Sequence, residues 1–154
     1  MTVTKAPSEA ILRARPTTYN GIKMRSRLEA RVAAWFDSLG IEWLYEPCAF
    51  ASPEGQYLPD FYIDAGRPIY VEVKGKLDMD SLTAEAGRIA DIITRSEPDC
   101  IIVVATAEGL ERGWCLIYNS WLDGLSHVDS LANLMCFDAR QPMCHHWRLP
   151  EWDA

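Results

Sequence analysis

Asp60, Glu72 and Lys74 are the residues whose types and spacing could do chemistry in this 154-residue chain. Asp60 follows Pro59 inside one apolar segment, and Glu72-Val73-Lys74 ends a second apolar segment twelve residues on. Two extended segments joined by a Gly-containing turn set the three side by side at one edge of a sheet. Residues two apart on a strand share a face, so Glu72 and Lys74 emerge together while Val73 points into the core. Two carboxylates and one ammonium in that arrangement suit a divalent cation and an attacking water. Asp60 and Glu72 are hard oxygen ligands for Mg²⁺ or Mn²⁺, and the Val73 backbone carbonyl can add a third. An ion held there polarises a phosphate and lowers the pKa of a bound water. Lys74 then positions that water or stabilises charge in the transition state. The reaction this predicts is hydrolysis of a phosphodiester.

The elements that must position these residues are readable on either side. From Ile22 to Leu39 the apolar positions Met24, Leu28, Val32, Trp35, Phe36 and Leu39 form one helical stripe, ended by Gly40. Ile41–Glu46 alternates as a strand closed by Pro47, and 48–55 reads as a loop. Tyr57–Ile63 and Ile69–Val73 read as two more strands, completing an antiparallel meander. Proline cannot donate to a ladder, so Pro59 requires its strand to be at an edge, distorted or interrupted. A second helical stripe runs from Met79 to about Arg95, capped by Asp78 or Asp80, with Pro98 beyond its end. The β-branched run Cys100–Ala105 is a buried central strand, and Trp114–Tyr118 is one more. The expected fold is α/β, with helices on both faces of a central mixed sheet. Apolar residues from Trp121 to Phe137 predict one helix, or a helical turn with packing, in a C-terminal extension over 119–154.

The first helix brings further candidates. Glu29 adjoins Leu28 at the rim of the buried face, where it can reach the sheet edge and bind metal directly or through water. The bland alternative is an i,i+4 ion pair with Arg25, worth roughly 0.3 kcal/mol. Lys23, Arg25 and Arg27 are placed to clamp phosphates, and Lys76 lies just past the third strand. Each is equally readable as a solvated charge.

Helix glutamate, Pro-Asp and Glu-x-Lys in this order resemble the PD-(D/E)xK nuclease superfamily, over residues 22–105. The resemblance implies a restriction-endonuclease-like αβββαβ core. It matches Asp60 and Glu72 to the metal-binding acids, Lys74 to the motif lysine and Glu29 to the helix acid. It implies a Mg²⁺- or Mn²⁺-dependent deoxyribonuclease, in the first instance an endonuclease. The run RSRLEAR followed by LPDF is similar to small phage or prophage-type enzymes of that group. A homodimer would supply the two active centres that double-strand or junction cleavage needs. The domain reading is a basic arm over 1–21, a nuclease core over 22–118 and the C-terminal extension packed on it.

Composition narrows the remaining classes. The net charge is −7, yet residues 1–31 carry seven basic side chains against two acidic ones, leaving −12 for the rest. A basic arm on an acidic body permits phosphate contact at one face. Five cysteines, an odd number without a C-x-x-C pair, argue against a secreted disulfide framework. No apolar run is long enough to span a bilayer and the N-terminus lacks a signal-type apolar core, so a cytoplasmic protein without membrane partners is expected. Three rivals stand beside the nuclease. Cys136, Cys144, His145 and His146 form a tail cluster of non-standard zinc spacing. The acids could be ordinary sheet-edge charges, with Trp114, Trp121, Trp147 and Trp152 stacking bases or simply packing. The whole domain could also be an inactive nuclease fold that binds DNA or a protein.

Overall fold

A computed structural model describes residues 15–112, 115–119 and 124–128. The chain opens with a hairpin of β1 (Thr17–Tyr19) and β2 (Ile22–Met24). Asn20 and Gly21 both take positive φ, +46° and +77°, as a two-residue hairpin turn of this hand requires. Helix α1 (Arg27–Ser38) follows, capped by Ser26, whose Oγ accepts from the Glu29 N–H. At its far end Gly40, at φ +69°, lets the Ile41 N–H reach the Phe36 carbonyl and its own N–H reach Asp37.

Two sequence expectations are corrected here. The helix starts at Arg27 instead of Ile22, because the Asn-Gly turn and the Ser26 cap override a stripe that extends back to Met24. Met24 is fully buried, but from a strand. Residues 17–21, expected in an arm, are part of the hairpin, while 1–14 lie outside the described residues.

Strand β3 (Leu44–Tyr45) leads to a second hairpin, β4 (Phe50–Ser52) with β5 (Gly55–Tyr57), where a loop over 48–55 was expected. The predicted strand Tyr57–Ile63 is broken at Leu58-Pro59-Asp60 and resumes as β6 (Phe61–Asp64). Then come β7 (Pro68–Lys74), helix α2 (Met79–Thr94), β8 (Ile101–Thr106), the short helix α3 (Ala107–Arg112), β9 (Cys115–Asn119) and β10 (Gly124–Val128). Residues 124–128 thus form a strand antiparallel to β9, not the helix predicted from the apolar positions after Tyr118. The rest of that extension lies outside the described residues.

Six strands form one mixed sheet in the order β10-β9-β8-β7-β6-β3. The pair β7–β8 is parallel, bridged by α2, and the other pairings are antiparallel. Alternation along β7 and β8 divides the core. Ile69, Val71, Val73, Ile101, Val103 and Ala105 pack with Val32, Trp35 and Phe36 of α1. Tyr70, Ile102 and Val104 pack with Leu82, Ile89 and Ile93 of α2. The result is a mixed α/β fold with one long helix on each sheet face. No helix among the described residues is long and apolar enough to cross a membrane.

Candidate functional site

Strand register gathers the candidate residues at one end of the sheet. Phe61 pairs with Val71, Tyr45 with Phe61, and Lys74 with Thr106. Glu46, Asp60, Glu72 and Lys74 therefore all lie at the end where β7 and β8 finish. Pro59 accounts for the opening in the ladder. Continued by two residues, the β6–β7 register would set Pro59 opposite Val73, and Pro59 has no N–H to give. The Val73 N–H instead donates to Asp60 Oδ2 at 2.7 Å. In a paired strand the N–H and C=O of one residue face the same neighbour, so the Val73 carbonyl faces the side where Pro59 has no N–H to offer. Its side chain packs in the α1-side core, as the alternation predicted.

Asp60 is 2 % exposed and Glu72 is 7 % exposed. Arg25 Nη2 pairs with Asp60 Oδ1 at 2.8 Å, and the Glu46 N–H donates to the Asp60 carbonyl at 2.9 Å. Glu72 accepts from the Tyr57 hydroxyl at 2.6 Å through Oε2, while Lys74 Nζ stands 3.1 Å from Oε1. Burial, then the Glu72 charge and the Glu29 charge, push the Asp60 carboxyl up to about 7, against the pull of the Val73 N–H and Arg25. Burial and the Glu72 charge also raise the Tyr57 hydroxyl, keeping it a donor. The Lys74 amine is pulled down by burial and pushed up by more by Glu72 and Glu85 together, so it stays an ammonium.

Glu29 is buried at the third position of α1, on the sheet face opposite α2. Its Oε2 accepts from the Arg25 N–H at 3.2 Å and from the Tyr45 hydroxyl at 2.5 Å. This is close to a capping box, with Ser26 and Glu29 three apart and the acid reaching back across the helix start. The role for which the fold visibly uses Glu29 is therefore helix capping, while its charge still bears on Asp60. Arg25 precedes the helix, so the anticipated i,i+4 helix pair is replaced by guanidinium contacts to Asp60 and to Glu46 Oε1, the latter at 2.8 Å. Lys23, Arg27 and Lys76 are exposed.

The sequence reading missed four residues of this network: Tyr57, Glu46, Glu85 and Arg88. Glu85 Oε1 lies 3.5 Å from Lys74 Nζ and 2.6 Å from Arg88 Nη2, and Arg88 extends to Glu54 at the tip of the β4–β5 hairpin. The Glu85–Arg88 spacing of three on a helix was a visible pairing signal. Glu46 sits at φ +44°, a conformation that non-glycine residues rarely adopt. The Ser26-x-x-Glu29 cap was also readable as such.

Among the described residues no three His, Cys, Asp or Glu side chains are grouped as a ready-made metal cage. The donors on offer are the two buried carboxylates with the Val73 carbonyl beside them. By donor type they fit a hard divalent cation, although Arg25 and Lys74 already face Asp60 and Glu72. The tail cluster Cys136, Cys144, His145 and His146 and the tryptophans at 114, 121, 147 and 152 lie outside the described residues. No protein-family model matches the chain, and no curated protein matches it significantly.

Proposed function

We propose that this protein is a Mg²⁺- or Mn²⁺-dependent DNA nuclease with a restriction-endonuclease-like αβββαβ core of the PD-(D/E)xK type. The order α1, β3, β6, β7, α2, β8 supports that core, with the β4–β5 hairpin as an insertion between its first two strands. The observation that carries the function is the burial of both Asp60 and Glu72 at one end of the sheet, with an ammonium 3.1 Å from Glu72. Such a cluster costs folding free energy, which a bound cation would offset. Asp60, Glu72 and the Val73 carbonyl would hold the ion, with Glu29 contributing charge from α1. A bound Mg²⁺ supplies Lewis-acid activation of a phosphate and a water of lowered pKa. Lys74, kept protonated by Glu72 and Glu85, orients that water and stabilises charge on the phosphoryl oxygens. Tyr57 fixes the Glu72 rotamer through its 2.6 Å hydrogen bond. The exposed cations Lys23, Arg27 and Lys76 meet the DNA backbone, whose contacts fall off with salt.

One observation favours a second reading, a nuclease fold kept for binding DNA or a protein. All four oxygens of Asp60 and Glu72 have protein partners, an arrangement that closes on itself through side chains and backbone. Cleavage of plasmid, single-stranded and branched DNA with Mg²⁺ separates the two. The nuclease reading expects cleavage that falls at least a thousandfold, to ~0.1 % or less, in Asp60→Ala and Lys74→Ala. Identical behaviour of wild type and both variants removes it.

A further inference from the structure

We propose that Arg25 is a built-in counter-cation, which holds the Asp60 carboxylate when no divalent ion is bound and competes with that ion for it. This rests on reading Asp60 and Glu72 as cation ligands. Asp60 Oδ2 is taken by the Val73 N–H at the sheet edge, so Oδ1 is the oxygen left for an ion. The Arg25 guanidinium stands on that atom at 2.8 Å. Its Nε simultaneously meets Glu46 at 2.8 Å, so the planar fork bridges two carboxylates that a point charge could not span equally well.

The partners differ in freedom. The Asp60 side chain is 2 % exposed and the Arg25 side chain 60 %. The Arg25 backbone is anchored, because its N–H donates to Glu29 and to the Tyr45 hydroxyl. The base of the side chain is thus fixed while its head can leave for water. A guanidinium and a divalent cation repel each other, so occupancy of Oδ1 by one disfavours the other. The apparent affinity for the ion is then lowered by the fraction of molecules in which Arg25 is engaged. This assigns Arg25 a positioning role that sets the metal concentration at which the site fills.

The test is Mn²⁺ binding to the full chain at pH 8, read by the loss of the free-ion electron paramagnetic resonance signal. Asp60→Asn should lose binding. Arg25→Met should bind Mn²⁺ about tenfold more tightly than wild type, and Arg25→Lys by about threefold, since a lysine covers one carboxylate at a time. Should Arg25→Met fail to fold, the lysine variant decides. Binding that is unchanged or weaker in the Arg25 variants, with Asp60→Asn still null, overturns the competition and leaves the cation site standing. No Mn²⁺ binding by wild type or any variant overturns both.

Discussion

Asp37 and Asp60 both gather donors from distant parts of the chain, and they do so in opposite surroundings. Asp37 lies in the last turn of α1, exposed to solvent. It accepts from the Tyr19 hydroxyl at 2.5 Å, the Asn20 amide at 3.3 Å and the Trp43 indole N–H at 2.8 Å. Three neutral donors tie the β1–β2 hairpin and the segment before β3 to the helix. The hydrogen bond to Asp37, with some burial, moves the Tyr19 hydroxyl up to about 12. Asp60 is instead removed from water and set near two further acids, with one cation and one backbone N–H in partial compensation. A carboxylate that serves the fold is left wet and given donors. A carboxylate buried among its own kind makes the fold less stable, which is what the proposed cation site would put to use.

The largest effect expected from that contrast is on the pH dependence of stability. The folded-state pKa of Asp60, about 7, lies above its ordinary value of 3.8, so the folded protein binds more protons than the unfolded chain between those values. Stability therefore falls as pH rises from 4 to 7, by at most roughly 4 kcal/mol, and stays low above 7. Asp60→Asn removes the penalty. Its thermal midpoint should exceed that of wild type at pH 8, and the gap should shrink towards pH 4. Mg²⁺ should raise the midpoint of wild type at pH 8 and leave the variant unmoved. A gap independent of pH would break the contrast.

Asp37→Ala should do the reverse. Losing three exposed hydrogen bonds should lower stability by about 1–2 kcal/mol in urea titration at neutral pH. Cleavage per folded molecule should not change. The smallest effect expected is at the turn of the adjoining hairpin. Gly21 has open space around its Cα, so Gly21→Ala meets no clash and pays only for φ +77°, about 1 kcal/mol by the same titration. A loss in DNA cleavage beyond that stability change would show that the hairpin reaches the site.

Much of the core was legible because each signal was local. The helical stripe from Val32 to Phe36, the run Cys100–Ala105 and a cap at Asp78 or Asp80, which the structure resolves to Asp78, depend on neighbours three or four residues away, or on strand alternation. The same holds for Glu72 and Lys74, whose common face follows from a spacing of two. The β1–β2 hairpin was misread although Asn20-Gly21 is a strong turn signal, because the apolar spacing from Met24 onward mimics a helix. The β4–β5 hairpin was hidden by Ser-Pro-Glu-Gly, a tract that serves a loop and a hairpin tip equally well. Tyr57 and Glu46 could not be assigned from spacing, and the Glu85–Arg88 spacing showed a helix pair but not its reach to Lys74.

Chain order alone determined that Asp60 would stand beside a proline and that Glu72 and Lys74 would share a face, since proline lacks an N–H and strands repeat every two residues. It also determined two amphipathic helices and a buried central strand. Tertiary structure decided which charges meet. It brought Arg25 to Asp60 across 35 positions and Tyr57 to Glu72 across 15, and it turned Glu29 towards its own helix start. Electrostatic partnership depends on distance and burial in space, and neither is encoded in the separation of residues along a chain.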